Sequence, residues 1–170
     1  MDNNNKKILF YGYGNPGRQD DALGIRFIEQ MEIWVAKNEY KNISFDSNYQ
    51  LNIEDADTIS EHDIVFFVDA SMEQLEGFTI TEVEHSNAQV EFTMHAISPG
   101  VVLSLCKQIY EKAPQAYLVH IKGYEWELEF DKGLTEKAED NLQNALKYIK
   151  KKLPEFMENS KNLKISAMKL

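Results

Sequence analysis

A single cysteine, Cys106, stands in a chain of 170 residues, so no intramolecular disulfide can form. Long apolar runs are missing too, and none approaches the roughly 20 residues a helix needs to cross a bilayer. Met1 to Lys7 is polar, without the apolar core and cleavage site of a signal peptide, and leads straight into a strand-like run. A cytoplasmic location is the expectation. Basic residues are the minority, 18 against 28 acidic, for a formal net charge of -10. Such a surface repels a phosphate backbone and argues against nucleic-acid binding. It favours a cationic partner, such as a basic peptide or a metal ion. There is no internal repeat and no low-complexity linker. A convincing nucleophile is missing as well. Cys106 falls on the apolar face of a helical pattern, and neither Ser71 nor Ser98 has a visible partner histidine.

What is present suits one packed domain: 43% hydrophobic and 11% aromatic residues. Strand signals alternate with helix signals, which predicts an α/β fold with a doubly wound, mostly parallel sheet and helices on both faces. Lys7–Gly12 (KILFYG) reads as a buried first strand. A helix follows from about Asp20 to Lys37, with Leu23, Phe27, Met31 and Trp34 at helical spacing and acids at its positive end. Asn42–Asp46 predicts a second strand and Gln50–Ser60 a short helix. Asp63–Ala70 (DIVFFVDA) is the clearest buried strand. Phe78–Glu84 and Gln89–Thr93 read as two strands, one of them an antiparallel edge. Ser98–Pro99 opens a helix carrying Val102, Leu105, Cys106 and Ile109 on one face. Tyr117–Ile121 is a further strand, and Thr135 caps a long helix with Ala138, Leu142, Ala145, Leu146, Ile149 and Leu153 as its stripe. The domain is expected to span 1–153, with residues 154–170 a tail rich in Lys and Asn.

Three readings compete for the first turn. Gly12-Tyr13-Gly14-Asn15-Pro16-Gly17 matches the dinucleotide pattern G-x-G-x-x-G, with Asp46 available as a ribose acid. A pyrophosphate needs the helix start free, however, and Asp20 and Asp21 would repel it there. The words GNPG are similar to a turn of the peptidyl-tRNA hydrolases, but the Thr-Arg-His-Asn segment and the basic face that tRNA needs are both lacking.

The third reading takes the segment Gly12 to Arg26 whole, and beside it stands a constellation of acids and one histidine. In doubly wound sheets, ligands sit beyond the carboxyl ends of the parallel strands. Asp21 opens the first helix, Asp69 closes the DIVFFVDA strand, and His95 precedes the Ser98 helix, so all three can face one crevice. Two carboxylates and an imidazole suit a borderline divalent ion such as nickel or zinc, with positions left for water or substrate. Each residue also has a plainer role. An acid at a helix start is usually a dipole partner, an Asp after a strand often caps a turn, and a lone histidine is more often structural.

Taken whole, Gly12 to Arg26 (GYGNPGRQDDALGIR) resembles the opening motif of the hydrogenase maturation proteases: a G-x-G-N turn, an acid pair, a small or apolar spacer, then Gly and a basic residue. The family's acid falls on Asp21, its second acid on Asp69 within VDAS, and its histidine on His95. Val102 and Leu103 fall on its Val-Leu positions, and LVHIKGYEWELEFDKGLTEKAEDNL resembles its last strand, loop and helix start, so coverage runs from Lys7 to about Leu153. Many members carry Asp-Gly-Gly-Thr after strand two. Here Asp46-Ser47-Asn48-Tyr49-Gln50-Leu51 stands there and looks like the branch serving bidirectional, soluble-type hydrogenases. The histidine's flanks, Met94 and Ala96, also depart from the usual pattern.

The resemblance implies a three-layer αβα sandwich and a monomeric endopeptidase. Its substrate would be the nickel-loaded precursor of a nickel–iron hydrogenase large subunit, cut at the C-terminal segment. It implies that Asp21, Asp69 and His95 hold the metal and carry the catalysis, that nickel comes with the substrate, and that zinc or cadmium substitutes in vitro. The alternative is a non-catalytic nickel-binding or hydrogenase-assembly chaperone module on the same fold. His120 reads as a satisfied core or rim histidine, and His62 and His85 as solvated. Arg18 and Gln19 read as groove or plain loop residues, and the acidic run Tyr124–Asp131 as a lure for a basic segment or a solvated loop.

Overall fold

The computed structural model describes residues 6–86 and 97–158. Five strands form one sheet in the order β2-β1-β3-β5-β4. They are β1 (Ile8–Tyr13), β2 (Ile43–Asn48), β3 (Ile64–Ser71), β4 (Phe78–Glu82) and β5 (Gln115–Lys122). The first four in sheet order pair in parallel, and β4 closes one side antiparallel to β5. The helices are α1 (Leu23–Lys37), α2 (Asp55–Ser60), α3 (Pro99–Tyr110) and α4 (Glu136–Met157).

Strand alternation divides the core into two layers. Ile8, Phe10, Ile64, Phe66, Val68, Tyr117, Val119 and Ile121 turn to one face, where α1 and α4 cover them. Leu9, Tyr11, Val65, Phe67 and Ala116 turn to the other, under α2 and α3. Because β1 and β3 are buried on both faces, they read in sequence as unbroken apolar runs. The expected three-layer αβα sandwich with an antiparallel edge is the architecture found.

Local chemistry sets the helix starts. Ser98 Oγ accepts from Val101 N at 3.3 Å, and Thr135 Oγ1 accepts from Ala138 N at 3.3 Å. Asp55 Oδ2 accepts from Asn52 N at 2.7 Å and from the Tyr11 hydroxyl at 2.8 Å, tying α2 to the sheet.

Several details differ from the sequence expectation. Asp20 and Asp21 lie in a 3-10 turn, Gln19–Ala22, and the α-helix proper begins at Leu23. On α3 the buried face is Val102, Leu103 and Cys106, while Ile109 is exposed. Helix α4 runs past residue 153, where the tail was expected to begin. The helix continues to Met157 because Phe156 packs edge-on against Phe66 and Tyr117, with centroids 5.0 and 5.3 Å apart. The strand expected over Gln89–Thr93 lies outside the described residues, as does His95. Among the described residues no helix is long and apolar enough to cross a membrane.

Candidate active site

The carboxyl ends of β1, β3 and β5 form a rim, and the chain turns there into the segments that carry the candidate acids. Gly14 leaves β1 with φ of 142°, and a side chain at that position would run into the Asp21 backbone. Gly24 presses against the Val68 carbonyl of β3, which brings the start of α1 down onto the sheet.

Nearly every amide of the first turn is used internally. Gly14 N donates to Asn48 O (3.1 Å), Asn15 N to Asp21 Oδ2 (2.8 Å), Gly17 N to Asn15 Oδ1 (2.9 Å) and Arg18 N to Asn15 O (3.0 Å). Pro16 has none to give. An anion-binding loop needs such amides turned outward, so this G-x-G-x-x-G is not a phosphate cradle. Asp46 is exposed on β2 and accepts from Ser47 N at 2.8 Å, a local turn contact.

The two neighbouring acids diverge. Asp20 is fully buried. Its Oδ2 accepts from Tyr124 N (2.8 Å), Glu125 N (3.1 Å) and Thr135 Oγ1 (2.8 Å), and its Oδ1 from Thr135 N (2.8 Å). It is therefore the clasp between the first turn and the β5–α4 loop. No sequence signal marks this role, because its partners lie far along the chain. Asp21 is half-buried and faces the rim, with Oδ2 held by the Asn15 amide.

Asp69 sits two residues before the end of β3 and is half-buried. Burial first, and the negative charge of Asp21 second, push its carboxyl up to about 7. Asp21 and Asp69 thus lie within electrostatic reach of each other. The third expected residue, His95, lies outside the described residues. Among the described residues no set of three His, Cys, Asp or Glu side chains converges as a metal cluster. The donor chemistry of the pair nonetheless fits a divalent cation. Two carboxylates repel each other at a buried rim, and a cation between them would relieve both burial and repulsion.

Two further polar groups flank Asp69. His120 on β5 stands opposite it in the β3–β5 register. Burial holds its imidazole below the ordinary range, against the opposing influence of Glu73. Tyr13 ends β1, one step past the Gly12–Val68 pair, and burial plus the Asp69 charge raise its hydroxyl pKa. Alternation of inward and outward residues in β1 could have suggested Tyr13 as a neighbour of the site, but only strand order places it beside Asp69.

The nucleophile candidates are engaged elsewhere. Cys106 is fully buried, its thiol lies 3.3 Å from Ala56 O, and burial pushes its pKa up to about 11. Ser71 Oγ accepts from Glu73 N at 3.1 Å, and Ser98 caps α3. A cavity of about 420 Å³ lined by Gly77, Phe78, Lys147 and Tyr148 opens on the α4 face, away from the face that carries Asp69.

The site and topology define a doubly wound α/β protein with an acidic rim. More narrowly, the fold is that of the hydrogenase maturation proteases. The maturation protease HycI of Thermococcus kodakarensis KOD1 superposes with a TM-score of 0.69 at 19% identity, covering 88% of this chain and 94% of that one. The maturating endopeptidase HybD of E. coli gives 0.65 at 22%, covering 88% and 93%. A hydrogenase 2 maturation peptidase from Thaumarchaeota archaeon SCGC_AB-539-E09 gives 0.60 at 18%, covering 88% and 99%. No family model matches the sequence, and no curated protein matches it.

Proposed function

We propose that this chain is a hydrogenase maturation endopeptidase that removes the C-terminal peptide from the nickel-loaded precursor of a nickel–iron hydrogenase large subunit. Asp21, Asp69 and His95 are the groups that meet the substrate's nickel. The observation that carries this reading is the placement of Asp21 and Asp69 at the rim, where burial and the Asp21 charge both raise the Asp69 carboxyl. The pair sits on a fold shared with proteins named as hydrogenase maturation proteases, at the positions the sequence motif assigns.

Nickel held in the precursor supplies the positive charge that two crowded carboxylates lack. The protein's own part is positional. Asn15 fixes Asp21 through its amide, β3 fixes Asp69, and the Asp20 clasp braces the loop beside them. Ser71, Ser98 and Cys106 are each engaged elsewhere, which favours direct hydrolysis by water. An enzyme anchored in this way cuts only precursor that has already received its metal.

The test uses Asp21→Ala, Asp69→Ala and His95→Ala on a nickel-loaded precursor, with product mass as the readout. Each variant should fold and fail to cleave. Cleavage by all three would remove the site. Nickel-dependent binding of precursor by the wild type without any cleavage would favour the chaperone module instead.

A further inference from the structure

Nine large apolar side chains stand exposed among the described residues, and six of them lie on loops at the rim of Asp21 and Asp69. Tyr49 and Ile53 follow β2, Met72 follows β3, and Tyr124, Leu128 and Phe130 lie between β5 and α4. Apolar side chains scattered singly over a surface need no explanation, but a concentration at one end of a domain marks a contact surface. Phe130 and Leu128 are the extreme members of the last loop, 79% and 56% exposed.

That loop is held in place. Asp20 grips it at Tyr124, Glu125 and Thr135, and Glu129 N donates to Gly17 O at 3.0 Å. The Phe130 ring lies against Gly17, so close that a Cβ there would stand 2.8 Å from it. Its apolar side chains are therefore displayed on a pre-ordered frame, and a partner meets little ordering cost. The same loop is strongly acidic. Glu125, Glu127, Glu129 and Asp131 fall between Tyr124 and Asp131 with no Lys or Arg among them, Lys132 just beyond pairs with Glu129 at 3.3 Å, and Glu73 and Glu76 lie on the loop after β3. Apolar contact with negative charge selects an occupant of the opposite pattern and disfavours an anionic lipid or nucleic acid.

We propose that the β5–α4 loop docks an extended, basic and apolar segment of a partner polypeptide beside Asp21 and Asp69. Leu128 and Phe130 take its apolar side chains, and the loop acids take its cationic ones. The inference rests on the peptidase reading only in making that segment the one presented for cleavage; docking itself is separable.

The experiment is fluorescence anisotropy with the full chain and a short labelled peptide of Arg, Leu and Val. A second peptide carries Glu in place of Arg. Wild type should bind the first, more weakly as salt rises, and not the second. Leu128→Ser/Phe130→Ser should weaken binding about tenfold or more. Glu127→Gln/Asp131→Asn should weaken it and flatten the salt dependence. The probe needs neither nickel nor cleavage, so failure of the peptidase reading leaves these outcomes unchanged. Wild-type affinity in the Leu128→Ser/Phe130→Ser variant, or equal binding of the Glu peptide, would overturn the docking surface even if the enzyme cleaves its precursor.

Discussion

Asp20 and Thr135 are separated by 115 positions and joined by two hydrogen bonds of 2.8 Å, from the Thr135 amide to Oδ1 and from its hydroxyl to Oδ2. Thr135 is also the cap of α4, so one contact locks the first turn, the β5–α4 loop and the start of the last helix together. The next residue, Asp21, leaves that lock and faces the rim. The turn that carries both is entered through Gln19 with φ of 41°, an unusual conformation for a residue with a Cβ. Adjacent acids in the sequence thus divide into a buried structural one and a half-buried one at the rim.

The division has a stability signature. Asp20→Ala abandons three backbone amides and a hydroxyl at a buried position, and should cost on the order of 3 kcal/mol. Asp21→Ala loses one bond at a half-exposed position and should cost about 1 kcal/mol or less. Urea denaturation of both variants checks the ranking. Equal costs would mean that the clasp has been misassigned.

Asp69 makes stability depend on pH in an unusual direction for a carboxyl. Its pKa is raised from 3.8 unfolded to about 7 folded. Between these values the folded chain keeps a proton that the unfolded chain has lost, so stability falls as pH rises through this window and stays lower above it. Asp69→Asn should therefore be more stable than wild type at pH 8, by on the order of a few kcal/mol, and nearly equal at pH 4. Thermal melts at the two pH values measure the difference. A gap of the same size at both would show that the Asp69 charge is not destabilised.

On the proposed site, protons and cations would compete for the Asp69 carboxyl. Nickel affinity of the isolated chain should rise between pH 6 and pH 8, and Asp69→Asn should flatten that rise. Isothermal titration at both pH values measures it, and a pH-independent affinity would place the metal elsewhere.

Cys106 should behave as core. Iodoacetamide should leave the native chain unlabelled and label it fully in denaturant. Cys106→Ala should retain cleavage of precursor while losing about 1–3 kcal/mol of stability to a small cavity. Loss of cleavage in a folded Cys106→Ala variant would return the thiol to the list of nucleophiles.

Much of the fold was legible because local signals agreed with global ones. DIVFFVDA reads as a central strand since both its faces are buried, and Ser98 and Thr135 announce helix starts that their side chains then cap. The Lys- and Asn-rich composition after Leu153 hid the last turn of α4, which contains Pro154. Phe156 and Met157 are buried, and their packing carries α4 through it. Ile109 misled because α3 is apolar on more than one side, so spacing alone did not say which face meets the sheet. Asp69 was readable from its place at a strand end. Asp20 was not, because its four bonds come from residues that only the folded chain brings near.

The most direct test of the central claim is mass spectrometry of a hydrogenase large-subunit precursor after incubation with this protein, once loaded with nickel and once without. The account predicts loss of the C-terminal segment from the nickel-loaded precursor alone. Cleavage of both forms at the same rate, or of neither by a folded enzyme, would contradict it.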